Sequence, residues 1–328
     1  MPRRSTGPNW PAATPTPGTH GAGRRAERRQ GKEHDAGCRT PFGTAPLAPG
    51  PWAIGLVSPV ESPPGERHGH QILQAMNVVA IIQARMSSTR LPGKVLMPLA
   101  GQPVLAHVVQ RVRACRTVQD VVIATSTDPS DDVIEAWCRE AGVACHRGSL
   151  HDVLDRYYQA ARAHHADAIV RITADCPALD PAIVDEVVTA FQDGRYDFCG
   201  LAGEFPDGLD CTVFAFDAIA RAHREAQLPS EREHVGPYIE KHPEWFRNGA
   251  VHKFKGLAHH RWTLDEPRDY EFLQAVFARL YRPGEPPFTA ADVLALLERE
   301  PGLATINTDI IRNEGYLKSL EADRKLGS

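Results

Sequence analysis

Val78 to Ile82 is an unbroken apolar run of strand length, and beyond it the hydrophobic period changes. Apolar residues recur at Val104, Val108, Val109 and Val112, which predicts a helix over Val104–Cys115. A strand is expected at Val121–Ala124, then a helix at Asp131–Ala141 capped by Ser130. A short strand at Val143–His146 and a helix at Asp152–His164 come next. Ala168–Ile172 reads as a buried strand, and Pro181–Gln192 as a helix with Asp180 at its N-cap and Pro181 in its first turn. This alternation predicts an α/β fold, a mostly parallel sheet with helices on both faces. Ligands of such sheets gather beyond the carboxyl ends of the strands, so the informative loops come after residues 82, 125, 146 and 172.

After residue 196 the pattern loosens. Strands are expected at Tyr196–Gly200, Cys211–Phe216, Val251–Phe254 and His260–Leu264, mixed with helices. Further helices are expected at Pro267–Tyr281 and Ala290–Glu298, and Thr308–Lys325 reads as a polar helix or tail.

The first 75 residues are of another kind. They hold 12 of the 27 prolines and 11 of the 26 glycines, and their charge is +4 against −8 for the remainder. Without a sustained apolar period they cannot bury enough surface to offset chain entropy. Their prolines oppose an amphipathic presequence, and they lack the apolar core of a secretory signal. Residues 1–75 are therefore expected to be a disordered extension or the product of a start placed too early, with Met76 as the favoured start and residues 76–328 as the folded domain.

Composition narrows the class without naming a function. The 328 residues are 42% hydrophobic with a formal charge of −4, and no apolar run approaches a membrane span. A mildly acidic chain without a basic stripe argues against nucleic acid as a partner. The seven cysteines are scattered, and none forms a Cys-x-x-Cys pair. A reducing cytoplasm fits that usage.

The loop after the first strand concentrates chemistry. Residues 82–94 carry Arg85, Arg90 and Lys94, the hydroxyls of Ser87, Ser88 and Thr89, and a Pro-Gly turn. Guanidinium groups bind phosphate oxygens in pairs and lysine adds a mobile point charge, so the loop is suited to a polyanion. It is neither a Walker loop nor a dinucleotide fingerprint, because Lys94 is followed by Val95 and no Gly-x-Gly-x-x-Gly comes after the strand. Side-chain cations replace the backbone cradle, as suits a triphosphate whose leaving pyrophosphate must be neutralised.

The run Ile82–Lys94, with Leu96 and Gly101-Gln102-Pro103, resembles the cytidylyltransferases that activate acidic sugars, the CMP-Kdo and CMP-acylneuraminate synthetases. The likeness is nearest to the branch called spore coat polysaccharide biosynthesis protein F and covers about residues 77–320. It is carried also by Arg147-Gly148-Ser149, Asp152–Tyr157, Phe205–Asp210, Glu233-His234-Val235 and Leu264–Pro267. The resemblance implies a Rossmann-like, GT-A-like nucleotide-diphospho-sugar transferase sheet. It also implies CTP as co-substrate, magnesium as cofactor, small-molecule partners and a role in surface polysaccharide assembly. Association as a homodimer stays open.

Candidate residues come from both readings. Asp175 ends the buried strand in Thr173-Ala174-Asp175 and is either a magnesium ligand or a turn residue. Asp265 makes a good N-cap on local grounds, and the resemblance implies metal ligation. Catalysis is expected from Arg85, Lys94 and Asp175, and nucleotide binding from Arg85, Ser88, Arg90 and Lys94. Ser126, Ser149, Asp152 and Arg156 could read the base or could cap helices. Asp207, Asp210, Glu233, His234 and Arg261 are expected around the acceptor. Cys176 is expected to pack rather than react, since nucleotidyl transfer needs no covalent nucleophile. Two rivals remain. A nucleotide-sugar glycosyltransferase would want an Asp-x-Asp pair where one carboxylate stands, and a nucleotide-binding module without catalysis would not keep Arg85, Lys94, Asp175 and Asp265 together.

Overall fold

β1 (Val78–Gln83) is buried on both faces, and each face feeds a separate core. Val78, Ala80 and Ile82 join one cluster, and Val79 and Ile81 join the other. Such a strand must lie inside a sheet with cover above and below. The computed structural model describes residues 76–310, 312 and 314–326. The expectation for residues 1–75 lies outside them.

After β1 come the short antiparallel pair β2 (Pro98–Leu99) and β3 (Gln102–Pro103), α1 (Val104–Arg113), β4 (Asp120–Ser126), α2 (Asp132–Ala141) and β5 (Ala144–Gly148). Next are α3 (Val153–Ala163), β6 (Ala168–Thr173), α4 (Pro181–Gly194), β7 (Phe198–Leu201), β8 (Thr212–Ala215) and α5 (Phe216–Glu225). The chain continues through α6 (Pro229–His234), α7 (Pro237–Glu240), β9 (Asn248–Val251), α8 (Pro267–Leu280), α9 (Ala290–Arg299), α10 (Pro301–Ala304) and α11 (Glu314–Leu326).

Seven strands form one sheet in the order β5-β4-β1-β6-β8-β7-β9. Only β8 runs against its neighbours; the β1–β4, β1–β6, β4–β5 and β7–β9 pairs are parallel. Leu105, Ile134, Val184, Phe272 and Leu296 cover one face from α1, α2, α4, α8 and α9. Leu154, Ile219 and Ile239 cover the other from α3, α5 and α7. The mostly parallel α/β sheet expected from the alternation is present. No helix among the described residues is long and apolar enough to cross a membrane.

The topology fixes where a ligand can sit. From β1 the chain moves outward through β4 to β5, then returns to place β6 on the other side of β1. Between β1 and β6 the order reverses, and the carboxyl ends of those strands frame a crevice open to ligand. Tyr157 ties the two strands there: its buried hydroxyl lies 3.1 Å from both the Ile81 and the Ile172 carbonyl oxygens.

Several local expectations shift for identifiable reasons. The helix expected from Asp131 begins at Asp132, and Ser130 does not cap it. Ser130 instead donates through its backbone N–H and its hydroxyl to Asp128, at 2.9 and 2.6 Å. The strand expected at Val251–Phe254 lies earlier, at Asn248–Val251, held in parallel register with β7. His260–Leu264 forms no strand. It makes one isolated bridge, Asp207 to Arg261, because its last backbone groups are engaged elsewhere. Leu264 N–H donates to the Asp175 carbonyl at 2.8 Å, and its carbonyl accepts from Lys94 Nζ at 2.7 Å. Gly208 permits the close approach of that segment: its φ is +103°, and a Cβ there would lie 2.6 Å from the Trp262 carbonyl carbon.

Tyr157→Phe removes the shared donor and leaves two strand-end carbonyls without it. The expected cost is about 1 kcal/mol in urea unfolding with the sheet retained. An unchanged midpoint would show that the hydroxyl does not brace the crevice.

Candidate active site

The loop after β1 is shaped by its backbone. Met86 N–H donates to the Asp131 carboxylate at 2.7 Å, and Gly93 N–H donates to the Met86 carbonyl at 2.9 Å. These bonds close residues 86–93 into a compact excursion. Gly93, at φ +74°, turns the chain inward. Lys94 comes at once and is 8% exposed.

The Lys94 ammonium meets three acceptors, one for each of its hydrogens. Asp175 Oδ2 lies at 2.7 Å, the Leu264 carbonyl at 2.7 Å and Asp265 Oδ1 at 2.6 Å. Burial alone would lower the ammonium's pKa, but the charges and hydrogen bonds of Asp175 and Asp265 raise it on balance. Burial pushes the Asp175 carboxyl upward, and the Lys94 charge and hydrogen bond reverse this and hold it at about 2. Both groups are therefore charged throughout the physiological range. A buried ion pair survives its desolvation only with full hydrogen bonding, which the third acceptor completes.

Around this triad a cleft of about 470 Å³ opens at the ends of β1 and β6. Its floor is Gln83, Ala84, Thr173 and Ala174, and one wall is the loop, with Arg85, Ser88, Thr89 and Arg90. Arg90 reaches Asp265 at 2.9 Å, Glu314 at 3.1 Å and Glu266 at 3.6 Å. Arg85 pairs with Glu233 at 3.6 Å. Arg156 lies at the back, almost wholly buried, with Nη1 donating to the Ser149 and Leu150 carbonyls and Nε without a protein partner among the described residues. The far wall is α11, through Glu314, Gly315, Lys318, Ser319 and Ala322.

A second charged cluster lies behind the first. Arg261 donates to both oxygens of Asp269, at 2.9 and 3.0 Å, to Asp207 at 3.0 Å and to Asp265 at 3.4 Å. Asp269 also accepts from the backbone N–H groups of Asp265 and Glu266, each at 2.9 Å. Asp265 is thus oriented by a buried arginine as well as by Lys94. Arg312 adds a guanidinium 3.8 Å from Asp207 and 3.5 Å from Asp210. Burial and Asp210 push the Asp207 carboxyl up to about 7 against the pull of Arg312 and Arg261.

Of the residues singled out from sequence, the structure gathers Arg85, Ser88, Arg90, Lys94, Arg156, Asp175, Glu233 and Asp265 around one cleft. Others stand apart from its lining. The Ser126 hydroxyl is buried and donates to Asp131. Ser149 Oγ accepts from the Asp152 N–H at 3.1 Å, and Asp152 caps α3 and binds Arg232 at 3.0 Å. These three bind neighbouring chain rather than face the cleft. Asp207, Asp210 and Arg261 belong to the rear cluster. His234 lies behind Glu233, 3.0 Å from Ser319 Oγ, and burial lowers its pKa. Cys176 is buried, and burial raises its thiol pKa well above the usual range, as suits packing. Sequence reasoning missed Asp269, whose signal is the Glu-Pro-x-Asp helix start with reciprocal capping by Glu266. It also missed Glu314 and Lys318 on α11, for which the local sequence holds no signal.

Comparison with known proteins agrees in a single direction. A family model described as cytidylyltransferase matches residues 79–282. The spore coat polysaccharide biosynthesis protein SpsF of Bacillus subtilis is 36% identical over 238 residues, 70% of this chain and 97% of that protein. An uncharacterized protein of Methanocaldococcus jannaschii is 31% identical over 249 residues, 74% of this chain and 98% of that protein. Among solved structures, a cytidylyltransferase from Leptospira borgpetersenii superposes with a TM-score of 0.67 at 31% identity, covering 72% of this chain and all of that one.

Arg261→Met tests the rear cluster. It leaves Asp207 and Asp269 buried without their guanidinium, and the expected loss in denaturant unfolding is about 3–5 kcal/mol. A loss under about 1 kcal/mol would show that the cluster does not brace Asp265.

Proposed function

The chain belongs to the cytidylyltransferase family, and from that premise we propose that it transfers the cytidylyl group of CTP to an acidic sugar or similar acceptor. A hydroxyl oxygen of the acceptor bonds to the α-phosphorus, the bond from that phosphorus to the β-phosphate oxygen breaks, and pyrophosphate leaves. The acceptor's proton passes to solvent. The Bacillus subtilis relative is named for spore coat polysaccharide biosynthesis, and this supports surface polysaccharide assembly as the setting. The reaction is proposed for the cytoplasm, in keeping with the free cysteines of the fold.

One observation carries this reading: Lys94 is held between Asp175 and Asp265 in a cleft at the switch point of the sheet. Among the described residues the cleft is lined by five cations, Arg85, Arg90, Lys94, Arg156 and Lys318, and by four carboxylates, Asp175, Glu233, Asp265 and Glu314. Its own charge is nearly balanced, so a nucleoside triphosphate needs further positive charge there. Asp175 and Asp265 suit magnesium, which takes one or two carboxylates and completes its shell with phosphate oxygens and water. The pair already shares one cation, the Lys94 ammonium, at 2.7 and 2.6 Å. When bound, the metal would supply charge neutralisation on the phosphates.

The protein's own groups do the remaining work. Arg85 and Arg90 face the cleft from the loop after β1, and to meet phosphate oxygens they exchange their carboxylate partners Glu233, Asp265 and Glu314. Lys94 brings a charge that is already desolvated, which strengthens its action on the leaving group. Ser88 and Thr89 offer hydroxyl donors beside them. Arg156 presents a buried guanidinium whose Nε has no protein partner among the described residues, a donor suited to a bound polar group.

The test is pyrophosphate release with CTP, magnesium and a panel of acidic sugars, on the wild type and on Asp175→Asn. The wild type is expected to release pyrophosphate with CTP and an acceptor. Asp175→Asn should turn over roughly a hundredfold or more slower, the scale of losing one preorganised charge, while CTP still binds. Transfer from a nucleotide sugar without pyrophosphate release, or normal turnover by Asp175→Asn, would overturn the reading.

A further inference from the structure

The family model ends at residue 282, yet one wall of the cleft is built by α11, some thirty residues farther on. Glu314, Gly315, Lys318, Ser319 and Ala322 recur at helical spacing and form a single stripe. Three of these are small and leave room in front of the helix. The other two carry charge. Glu314 Oε1 lies 2.6 Å from Lys318 Nζ, and Glu314 Oε2 lies 3.1 Å from Arg90 Nη1. One carboxylate therefore bridges a cation of the first loop and a cation of the last helix.

We infer that Arg90 and Lys318 form a two-sided seat for the β,γ-phosphates of the triphosphate and for the pyrophosphate that leaves, with Glu314 as the internal anion that competes for it. The inference rests on the cytidylyl-transfer reading and extends it to a segment outside the family model. Three observations support it. Lys318 and Arg90 line the same cleft as Lys94, so a polyphosphate gripped by the loop lies within the reach of both. The Glu314–Lys318 pair is exposed, with side-chain accessibilities of 37% and 64%, and spaced i, i+4. Such pairs contribute only a few tenths of a kcal/mol, so a polyphosphate outcompetes a single carboxylate. And α11 is held by contacts that do not involve this bridge. Ser230 N–H donates to Asp323 at 2.9 Å, Ser319 Oγ lies 3.0 Å from His234, and Tyr316 packs edge-on to His234 at 5.0 Å. Lys318 thus keeps its place if Glu314 releases it.

The competitor role gives the two charged residues opposite signs. Lys318→Ala removes half of the seat, and Glu314→Gln removes the internal anion and leaves both cations. The experiment is calorimetric titration of the wild type and each variant with pyrophosphate, CTP and CMP, each in the presence of magnesium at low salt, with thermal unfolding of all three proteins. Lys318→Ala is expected to weaken pyrophosphate and CTP by about tenfold and to leave CMP unchanged. Glu314→Gln is expected to tighten pyrophosphate and CTP, again without effect on CMP. Loss of α11 packing would instead lower the melting temperature and weaken all three ligands. Identical affinities in all three proteins, or weaker pyrophosphate binding by Glu314→Gln, would overturn the inference and leave the reading of the loop intact. A wild type that binds neither CTP nor pyrophosphate would overturn the cytidylyl-transfer reading, and this inference with it.

Discussion

One ammonium group organises the active-site cleft. Lys94 leaves the first loop, passes into the crevice between β1 and β6, and ends on Asp175, Asp265 and the Leu264 carbonyl. Those acceptors come from the end of β6 and from the segment ahead of α8. Three distant stretches of chain therefore meet at one atom. The geometry is demanding because a buried charge is costly unless every donor is satisfied. The supporting parts answer that demand. Gly93 turns Lys94 inward, Leu264 gives both its backbone groups to the site rather than to a strand, and Arg261 with Asp269 fixes Asp265 from behind.

The same arrangement explains how a cleft can suit a polyanion without carrying a large net charge of its own. Arg85, Arg90, Lys94 and Lys318 are each paired with a carboxylate, at 3.6, 2.9, 2.6 and 2.6 Å. Pairing keeps like charges from repelling across a narrow space. Under the proposed function, binding would be an exchange of partners, in which cations would pass to phosphate oxygens and leave Asp175 and Asp265 open to a metal. The pairs differ in how readily they exchange. The exposed ones, Arg85–Glu233 and Lys318–Glu314, are weak, and the buried Lys94 pairs are strong.

Legibility in the sequence tracked the range of the forces involved. Strands β1 and β6 and helix α4 were readable because β1 is continuously apolar from Val78 to Ile82, β6 is apolar from Ala168 to Ile172 but for Arg171, and Asp180-Pro181 is a local start signal. Asp175 was readable because it stands just past the end of β6, and Arg85, Arg90 and Lys94 because they crowd the one loop that follows β1. Ser126, Ser149 and Asp152 looked equally suitable for a ligand or for a cap, and the structure gives them to backbone and side-chain groups two to five residues away, with Arg232 as a further partner of Asp152. The segment His260–Leu264 has strand composition, but its hydrogen bonds are claimed by Asp175 and Lys94, which are remote in sequence. The wall formed by α11 was invisible, because small residues facing a cleft look like any polar helix until its packing against α6 is known.

The most direct test is a crystal grown with CTP and manganese, studied by anomalous diffraction. The expected result is a manganese peak in contact with Asp175 and Asp265, CTP in the cleft between β1 and α11, and Lys94 Nζ turned toward the phosphates. Manganese bound elsewhere, or CTP bound with Lys94 still closed on both carboxylates and no metal beside them, would contradict the exchange of partners at Lys94.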